Sequence, residues 1–398
     1  MQSVVVVGAS LAGLRTVEAL RRRGFTGELI LVGNEGYPPY DRPPLSKQVL
    51  CGDWEADKTR FRQKQGYDEL DLDLRLGCAA TRVDTDARLV ALDDGTDLNY
   101  DRLVIATGAT PRRLPNPDGL SGIHVLRGLD DVMALQQELS DAQHVAVVGA
   151  GFIGLEVASS CRKLGLAVTA IDPLQLPLSP VLGDEMAREL MELHVAQGVR
   201  FETGAGVAGF AGERTVQRVE LSDGRAVEPD VVVVGIGVTP NVQWLRDSRI
   251  ELDNGVLCDA HCETSVPGVY AVGDVANFHH ATQGKHMRIE HWTHAVEMAN
   301  AAVEHMIDPA GAAPFAPVPY FWSDQYNVKL QFAGMRSADD EVRVLMRDPE
   351  KHRLLAAYHR DGALTAVLAW NRPAQLIQCR RMLGEGAQLS AAVEAFGS

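Results

Sequence analysis

The chain has 398 residues, of which 46% are hydrophobic and 23% are charged, with a formal net charge of -15. This length predicts two or three domains with sizeable cores, and the acidic balance argues against a nucleic-acid partner. Because no apolar run approaches the roughly 20 residues of a membrane span, and no secretory signal precedes the first strand, we expect a cytoplasmic protein with no membrane partner.

The first predicted element is a buried strand in the β-branched run at residues 4–7. A glycine-containing turn at residues 8–13 leads from it into a helix that we expect to end near Arg23, and residues 28–32 form the next strand. Such a strand–helix–strand unit is typical of a dinucleotide site, because glycines let the backbone approach a pyrophosphate at the helix N-terminus. Ser10 replaces the middle glycine, which is tolerated if its φ angle is negative.

A second copy of this unit begins with the predicted strand at residues 145–148. Its turn contains all three glycines: Gly149, Gly151 and Gly154. After the helix and a strand at residues 167–171, Asp172 stands near the spacing of about 20 residues at which an acidic side chain binds the adenosine ribose. Its carboxylate repels a 2′-phosphate, and residues 173–175 offer no Arg or Lys to hold one. We therefore expect NADH rather than NADPH.

Three further segments complete a pattern. Residues 101–108 end in Ala-Thr-Gly, residues 231–241 contain Gly237 followed by Thr-Pro-Asn, and residues 270–274 read Tyr-Ala-Val-Gly-Asp. Together with the two glycine turns, these segments resemble the pyridine-nucleotide-linked flavoprotein reductases. The resemblance implies FAD at the first turn and NADH at the second, with Asp274 at the ribityl chain of FAD.

Residues 40–47, 290–295 and 321–326 are similar to one branch of that superfamily, the ferredoxin reductases of oxygenase systems, or putidaredoxin-reductase type. The resemblance implies an α/β protein with two Rossmann-like three-layer domains, one for FAD and one for NAD, and a C-terminal α+β domain. The expected bounds are 1–112 with 238–315 for the FAD domain, 113–237 for the NAD domain and 316–398 for the C-terminal interface domain.

The implied activity is NADH-dependent ferredoxin reduction, with hydride passing from NADH to FAD and single electrons passing to an iron–sulfur ferredoxin. The ferredoxin would feed a cytochrome P450 or a ring-hydroxylating oxygenase. A rubredoxin reductase and an NADH oxidase are alternative enzymes, and a redox-sensing flavoprotein is an alternative from another class.

The site residues follow from the two turns and from the resemblance. Those assigned to FAD are Gly8, Ser10, Ala12, Gly13, Asn34, Glu35, Arg42, Lys47, Ala80, Thr107, Gly108, Arg127, Asp274, Trp292 and Trp322. Those assigned to NAD are Gly149, Gly151, Phe152, Ile153, Gly154, Glu156, Asp172 and Gly237. Either Asn34 or Glu35 holds the ribose of FAD, and charge favours Glu35. Arg127 is nearly as well explained as a surface arginine, and the tryptophans as core residues.

Lys47 and Glu156 are the predicted catalytic residues. Lys47 suggests a cation that stabilises reduced flavin, and in the resembled family the glutamate faces the nicotinamide and pairs with the lysine. We expect Glu156 in the first turn of its helix, where it could instead merely complement the helix dipole while Lys47 is solvated.

The cysteines indicate little redox or metal chemistry. The chain lacks the Cys-x4-Cys pair of disulfide-reducing members. NADH oxidases and peroxidases carry a cysteine after Leu-Ser, where this chain has Lys47; Cys51 lies four residues further on, and its redox activity is left to experiment. Cys258 and Cys262 have no second pair to complete a zinc site. We expect no metal and no disulfide framework.

Beyond a proline-rich joint at residues 314–319 we predict an antiparallel meander, a tight turn at Asp361-Gly362 and a helix that starts at Pro373. The meander strands are residues 328–332, 342–346, 354–359 and 364–370. An acidic ferredoxin would need a local basic patch. The candidates are Arg112, Arg113, Arg372, Arg380 and Arg381, which a solvated helix face explains equally well.

Overall fold

A computed structural model describes residues 1–397. Its strands, numbered β1 to β26 along the chain, are Ser3–Val7, Glu28–Gly33, Asp73–Leu76, Ala80–Asp84, Leu89–Leu92, Asp97–Asn99, Arg102–Ile105, Ala109–Pro111, Ile123–His124, His144–Val148, Ala167–Asp172, Val199–Thr203, Val207–Ala211, Arg218–Leu221, Ala226–Val227, Val231–Val234, Val238–Pro240, Val256–Cys258, Val269–Ala271, Ala276–His280, Lys285–Met287, Tyr320–Gln325, Val328–Gly334, Glu341–Asp348, Arg353–Arg360 and Ala363–Trp370. Its helices, α1 to α8, are Leu11–Arg22, Lys64–Asp68, Leu129–Leu139, Phe152–Lys163, Ser179–Ala196, Trp292–Ile307, Pro373–Gly384 and Leu389–Phe396.

The chain divides into two compact units, each made of three separate stretches. Unit 1 comprises Met1–Asp41, Thr59–Thr110 and Thr239–Pro319, and unit 2 comprises Arg42–Lys58, Pro111–Val238 and Tyr320 onward. The division into three domains that the sequence indicates stays a prediction. Across residues 1–397, no helix combines the length and apolar character that crossing a bilayer requires.

The centre of unit 1 is a parallel sheet with the strand order β19-β7-β1-β2-β3. Val4, Val5 and Val6 in β1 are fully buried, as expected for a parallel strand that is covered on both faces. The predicted first strand–helix–strand unit is confirmed, and α1 ends at Arg22, one residue earlier than expected.

Unit 2 contains a second parallel sheet, in the order β12-β11-β10-β16-β9. The pairing of Val148 with Ile171 repeats the pairing of Val7 with Val32 in unit 1. The two sequence copies therefore fold into the same arrangement, with the glycine turn after the central strand of each sheet.

The C-terminal part of unit 2 is an antiparallel sheet in the order β22-β23-β26-β25-β24. The predicted simple meander is wrong in its order, because β26 lies between β23 and β25. The physical reason is burial: Ala366–Ala369 in β26 are fully buried, which suits a central strand, whereas the edge strand β24 has a single buried residue, Leu345, among half-buried and exposed ones. The first strand, β22, was not predicted. The helix that starts at Pro373 is confirmed as α7.

The two-residue turn between β25 and β26 gives a test of the fold. Asp361 and Gly362 have φ angles of 50° and 82°, the left-handed pair that a type I′ hairpin needs. Because a Cβ is strained at positive φ, Gly362→Ala should lower the free energy of unfolding by about 1 kcal/mol, measured as the midpoint of urea unfolding. Gly206→Ala is the control, since an added Cβ there meets nothing within 4 Å. An equal response of the two variants would contradict the turn assignment.

Candidate functional site

The glycine turn of unit 1 is dictated by backbone contacts. A Cβ on Gly8 would lie 2.1 Å from the Ala106 carbonyl oxygen, and a Cβ on Gly13 would lie 2.0 Å from the carbonyl oxygen of Gly8. Ser10 has a φ of -121°, an angle that suits any residue. The serine therefore fits where a middle glycine was expected. Ala12 is buried on the first turn of α1.

The turn of unit 2 follows the same plan. A Cβ on Gly149 would lie 2.4 Å from the Gly235 carbonyl oxygen, and one on Gly154 would lie 2.0 Å from the Gly149 carbonyl oxygen. An added Cβ on Gly151 meets nothing within 4 Å, which is why this position tolerates a side chain in the first copy. Gly151 caps α4 without a side chain of its own, so this backbone cradle fits an anionic pyrophosphate.

The residues that open α4 have different surroundings. Phe152 is half-buried, with its ring 4.7 Å from that of Phe321, whereas 54% of Ile153 is exposed. Gly237, after β16, has a φ of 95°, and its carbonyl accepts a hydrogen bond from the Arg112 amide at 2.9 Å.

Asp172 anchors the second turn. Its Oδ2 atom accepts a hydrogen bond from the Ala150 amide at 2.9 Å, and its Oδ1 atom accepts one from the Leu174 amide at 2.9 Å. The side chain is buried at the end of β11, beside the loop whose backbone it fixes. Carboxylate oxygens have further lone pairs, so these bonds leave Asp172 able to accept others.

The corresponding place in unit 1 cannot hold a carboxylate. Gly33 occupies it, and a Cβ there would lie 2.5 Å from the Cβ of Ala9. The acidic residue comes two positions later, where Glu35 accepts a hydrogen bond from the Tyr40 hydroxyl. Asn34 is exposed and Glu35 is half-buried.

The Ala-Thr-Gly turn of unit 1 is held by Asn241. The Asn241 side-chain amide donates to the Thr107 carbonyl at 2.9 Å, its backbone amide donates to the Gly108 carbonyl at 3.0 Å, and the Thr107 hydroxyl donates to the Asn241 carbonyl at 2.8 Å. Sequence reasoning recognised both segments but not this clamp, because a single asparagine in a loop carries no periodic signal.

Other predicted FAD residues of unit 1 lie near its glycine turn or at strand and helix ends. Asp274 belongs to a short helical turn at Gly273–Val275, and a Cβ on Gly273 would lie 3.0 Å from the Cβ of Ala12. Trp292 opens α6, and its indole Nε1 donates to Asp41 Oδ1 at 2.8 Å. Ala80 is half-buried at the start of β4.

The predicted catalytic pair forms within unit 2. Lys47 Nζ lies 2.7 Å from Glu156 Oε2, and 13% of the lysine side chain is exposed. The same carboxylate accepts hydrogen bonds from the hydroxyls of Ser46 at 2.5 Å and Ser323 at 2.8 Å and from the Asp324 amide at 3.3 Å. Because Lys47 is largely buried, the alternative of a solvated lysine is wrong.

The expected place of Glu156 in its helix is also wrong. The helix begins at Phe152, so Glu156 is its fifth residue and lies beyond the first turn. Interaction with the helix dipole falls off within the first turn, so the dipole does not account for this buried carboxylate. Ser46 and Ser323 were not predicted as site residues, although both stand inside segments that resemble the family.

Arg42, Arg127 and Trp322 are also placed in unit 2. The Arg42 guanidinium donates to the Arg127 carbonyl at 2.6 Å, and the Arg127 amide donates to Asp131 Oδ2 at 2.9 Å. Trp322 stacks on Tyr320 with ring centroids 6.2 Å apart. Both Arg127 and Trp322 are half-buried.

The thiol candidate and two of the basic candidates have local partners. The Cys51 thiol lies 4.0 Å from the Ser160 carbonyl on α4. The Arg381 guanidinium is 3.7 Å from Glu385 on the same helix, and the Arg380 guanidinium lies 5.4 Å from the Tyr320 ring. Within residues 1–397 there is no group of three potential metal ligands.

Comparisons with known proteins agree with this geometry. Over 96% of its length the chain is 36% identical to the anthranilate 1,2-dioxygenase system ferredoxin–NAD(+) reductase component of Burkholderia cepacia, of which the match covers 94%. It is 33% identical to putidaredoxin reductase of Pseudomonas putida, over 96% of this chain and 91% of that protein. Among solved structures, the covalent putidaredoxin reductase–putidaredoxin complex matches with a TM-score of 0.92 and 32% identity, over 98% of this chain and 95% of that one.

Two family models match almost the whole chain. Residues 2–299 match the model described as pyridine nucleotide-disulphide oxidoreductase, and residues 320–395 match the model described as reductase C-terminal. The predicted α/β fold and the predicted use of FAD and NAD(H) are confirmed. The chain belongs to the pyridine nucleotide-disulphide oxidoreductase family.

Proposed function

We propose that the protein is an NADH-dependent ferredoxin reductase that supplies electrons to an oxygenase system. The observation that carries this proposal is the buried pair of Lys47 and Glu156, because Lys47 stands where thiol-dependent relatives would need a cysteine. The relatives named as reductase components of dioxygenase systems, and the putidaredoxin reductase, support the same acceptor class. The acceptor would be an iron–sulfur ferredoxin, and the final consumer a cytochrome P450 or a ring-hydroxylating oxygenase.

The two glycine turns would bind the two nucleotides. We propose that the turn of unit 1, with Glu35, Thr107, Gly108 and Asp274, holds FAD within a domain of residues 1–112 and 238–315. The turn of unit 2, with Asp172 and Gly237, would hold NADH within residues 113–237. The FAD contacts of Arg42, Lys47, Arg127 and Trp322 stay predictions, as does the role of residues 316–398 as an interface domain.

FAD held there would supply the chemistry, namely acceptance of a hydride from NADH and release of its two electrons one at a time. The protein's own contribution is electrostatic. Glu156 keeps the Lys47 ammonium in a largely water-excluded place, where a cation stabilises nearby negative charge far more strongly than it does in water. Ser46 and Ser323 hold the two oxygens of the carboxylate, so neither charged group has to reorganise during the reaction.

A cytoplasmic location is part of the proposal. All six cysteines, each within the described chain, are free thiols, as is usual in a reducing compartment. The same compartment would hold the NADH that the reaction consumes.

The lysine–glutamate pair gives the first functional prediction. Lys47→Met and Glu156→Gln should each slow the limiting rate of flavin reduction by NADH about tenfold or more, because each leaves one charge without its partner. Stopped-flow absorbance at the flavin band measures this rate. Lys163→Met is the control, since its 2.6 Å ion pair with Asp53 links the same helix and chain segment but is exposed. If the control slows reduction as much as the pair variants, the assigned roles are wrong.

The preference for NADH over NADPH gives the second functional prediction. NADH should reduce the flavin far more efficiently than NADPH. Asp172→Ala should weaken NADH binding about tenfold, and the efficiencies of flavin reduction by NADH and by NADPH should become more similar. Asp230→Ala is the matched control, because Asp230 also accepts hydrogen bonds from two backbone amides, those of Gln143 and His144. These lie at the start of β10, at the opposite end of that strand from the glycine turn. Equal efficiency of NADPH and NADH in the unaltered protein would refute the role of Asp172.

The acceptor is tested by NADH-driven cytochrome c reduction across a panel of 2Fe, 3Fe and 4Fe ferredoxins and rubredoxin. We expect rapid turnover with at least one ferredoxin, and slow NADH oxidation by oxygen alone that Cys51→Ser leaves unchanged. Fast oxygen turnover that Cys51→Ser abolishes would establish an NADH oxidase instead. Fast flavin reduction without transfer to any acceptor would favour a redox sensor.

A further inference from the structure

A line of hydrogen bonds leads away from Glu156 into the interior of unit 2. The Ser323 hydroxyl lies 2.8 Å from Glu156 Oε1, and the Gln325 side-chain nitrogen lies 3.0 Å from that hydroxyl. The Gln325 side-chain oxygen lies 2.7 Å from His194 Nε2. His194 Nδ1 in turn lies 3.0 Å from the Tyr326 hydroxyl. The line therefore joins α4 to α5 through β22.

The carboxylate fixes the direction of every bond in this line. An ionised carboxylate accepts and cannot donate, so the single Ser323 proton points to Glu156. The serine oxygen must then accept from the Gln325 amide, which leaves the amide oxygen to accept from His194 Nε2. Burial lowers the pKa of His194 to about 4, so the neutral ring accepts at Nδ1 from the Tyr326 hydroxyl. All the donors thus point toward Glu156.

Water cannot replace a missing member of this line. Glu156, Ser323, Gln325 and His194 are all buried. The His194 ring is further held by the rings of Phe201 and Tyr326, with centroids at 6.3 Å and 5.0 Å. Because a buried donor or acceptor that loses its partner bears its full desolvation cost, each residue has one favourable orientation.

We propose that His194 and Gln325 are positioning residues for flavin reduction, which act on Glu156 through Ser323 and through Glu156 on Lys47. This inference rests on the proposed roles of Glu156 and Lys47. Neither His194 nor Gln325 belongs to a nucleotide-binding turn, so nucleotide binding alone does not account for this directed line. The other charged neighbour, Asp324, contributes its amide to Glu156, while its carboxylate lies 3.9 Å from Lys329 Nζ.

The test uses the FAD-loaded protein and measures both the limiting rate of flavin reduction and the dissociation constant of NADH. Ser323→Ala removes the hydroxyl that donates directly to Glu156, and His194→Leu removes the imidazole from the line. Gln325→Glu keeps the side-chain size but replaces the donor with an acceptor, which competes for the Ser323 proton. Each should lower the limiting rate about tenfold, since hydrogen bonds to charged groups are the strong ones, while the NADH dissociation constant stays within about threefold.

Conservative variants separate positioning from packing. Ser323→Thr keeps a hydroxyl, and His194→Gln keeps an N–H donor near the Nε2 position, so both should recover most of the rate. His144→Leu is the control, because His144 Nε2 also bonds a hydroxyl, that of Thr169 at 2.9 Å, without a link to Glu156. We expect His144→Leu to reduce the flavin at the unaltered rate.

The outcomes distinguish the inference from the function on which it rests. If Glu156→Gln slows reduction but Ser323→Ala and Gln325→Glu do not, the positioning inference is overturned and the proposed function stands. If Glu156→Gln has no effect either, the proposed role of Glu156 itself fails. Slowing by His144→Leu to the same extent, or no recovery in Ser323→Thr and His194→Gln, would show a packing effect and overturn the inference.

Discussion

A carboxylate removed from water has to be met by donors, and in unit 2 this requirement falls on Glu156. An isolated charge in an apolar interior is very costly, and the Lys47 ammonium alone satisfies only one of the oxygens. The remaining donors come from Ser46 on one side and from Ser323 and Asp324 on the other. The compensation of one charge thus joins all three stretches of chain that make up this unit.

Close backbone contacts determine the two glycine turns in the same way. In each, the first glycine meets the backbone that leaves the neighbouring strand, and the third meets the carbonyl of the first. They differ at the end of the second strand, where Asp172 fastens its own turn but Gly33 has no room for a side chain beside Ala9. The two βαβ units therefore carry their acidic residues at different positions, Asp172 at the end of its strand and Glu35 two residues beyond the corresponding place.

Features with a steric cause were readable from the sequence itself. The pairing of Lys47 with Glu156 was predicted only through the family resemblance, and the hydrogen-bond partners of Glu156 were not predicted. Both glycine turns were predicted because close backbone approach forces glycine at Gly8 and Gly149. The Asp361-Gly362 turn was predicted for a similar reason, the need for positive φ. Ser323 and His194, by contrast, have no steric signature in the sequence, and no spacing rule connects positions so far apart. The strand order of the C-terminal sheet depends on which strand is buried on both faces. The residue pattern predicts each strand but does not show which strand lies at the centre.

The donors of Glu156 also set an order of events during synthesis. Ser323 follows Glu156 by 167 residues, so at usual translation speeds the nascent helix α4 waits roughly 10 to 30 s for that donor. During this interval Ser46 and Lys47 are already made, but β22 has not yet been synthesised. A nascent unit 2 must keep part of this carboxylate hydrated until β22 has emerged. The carboxylate is thus fully compensated only late in synthesis, although the strands of the parallel sheet are made earlier.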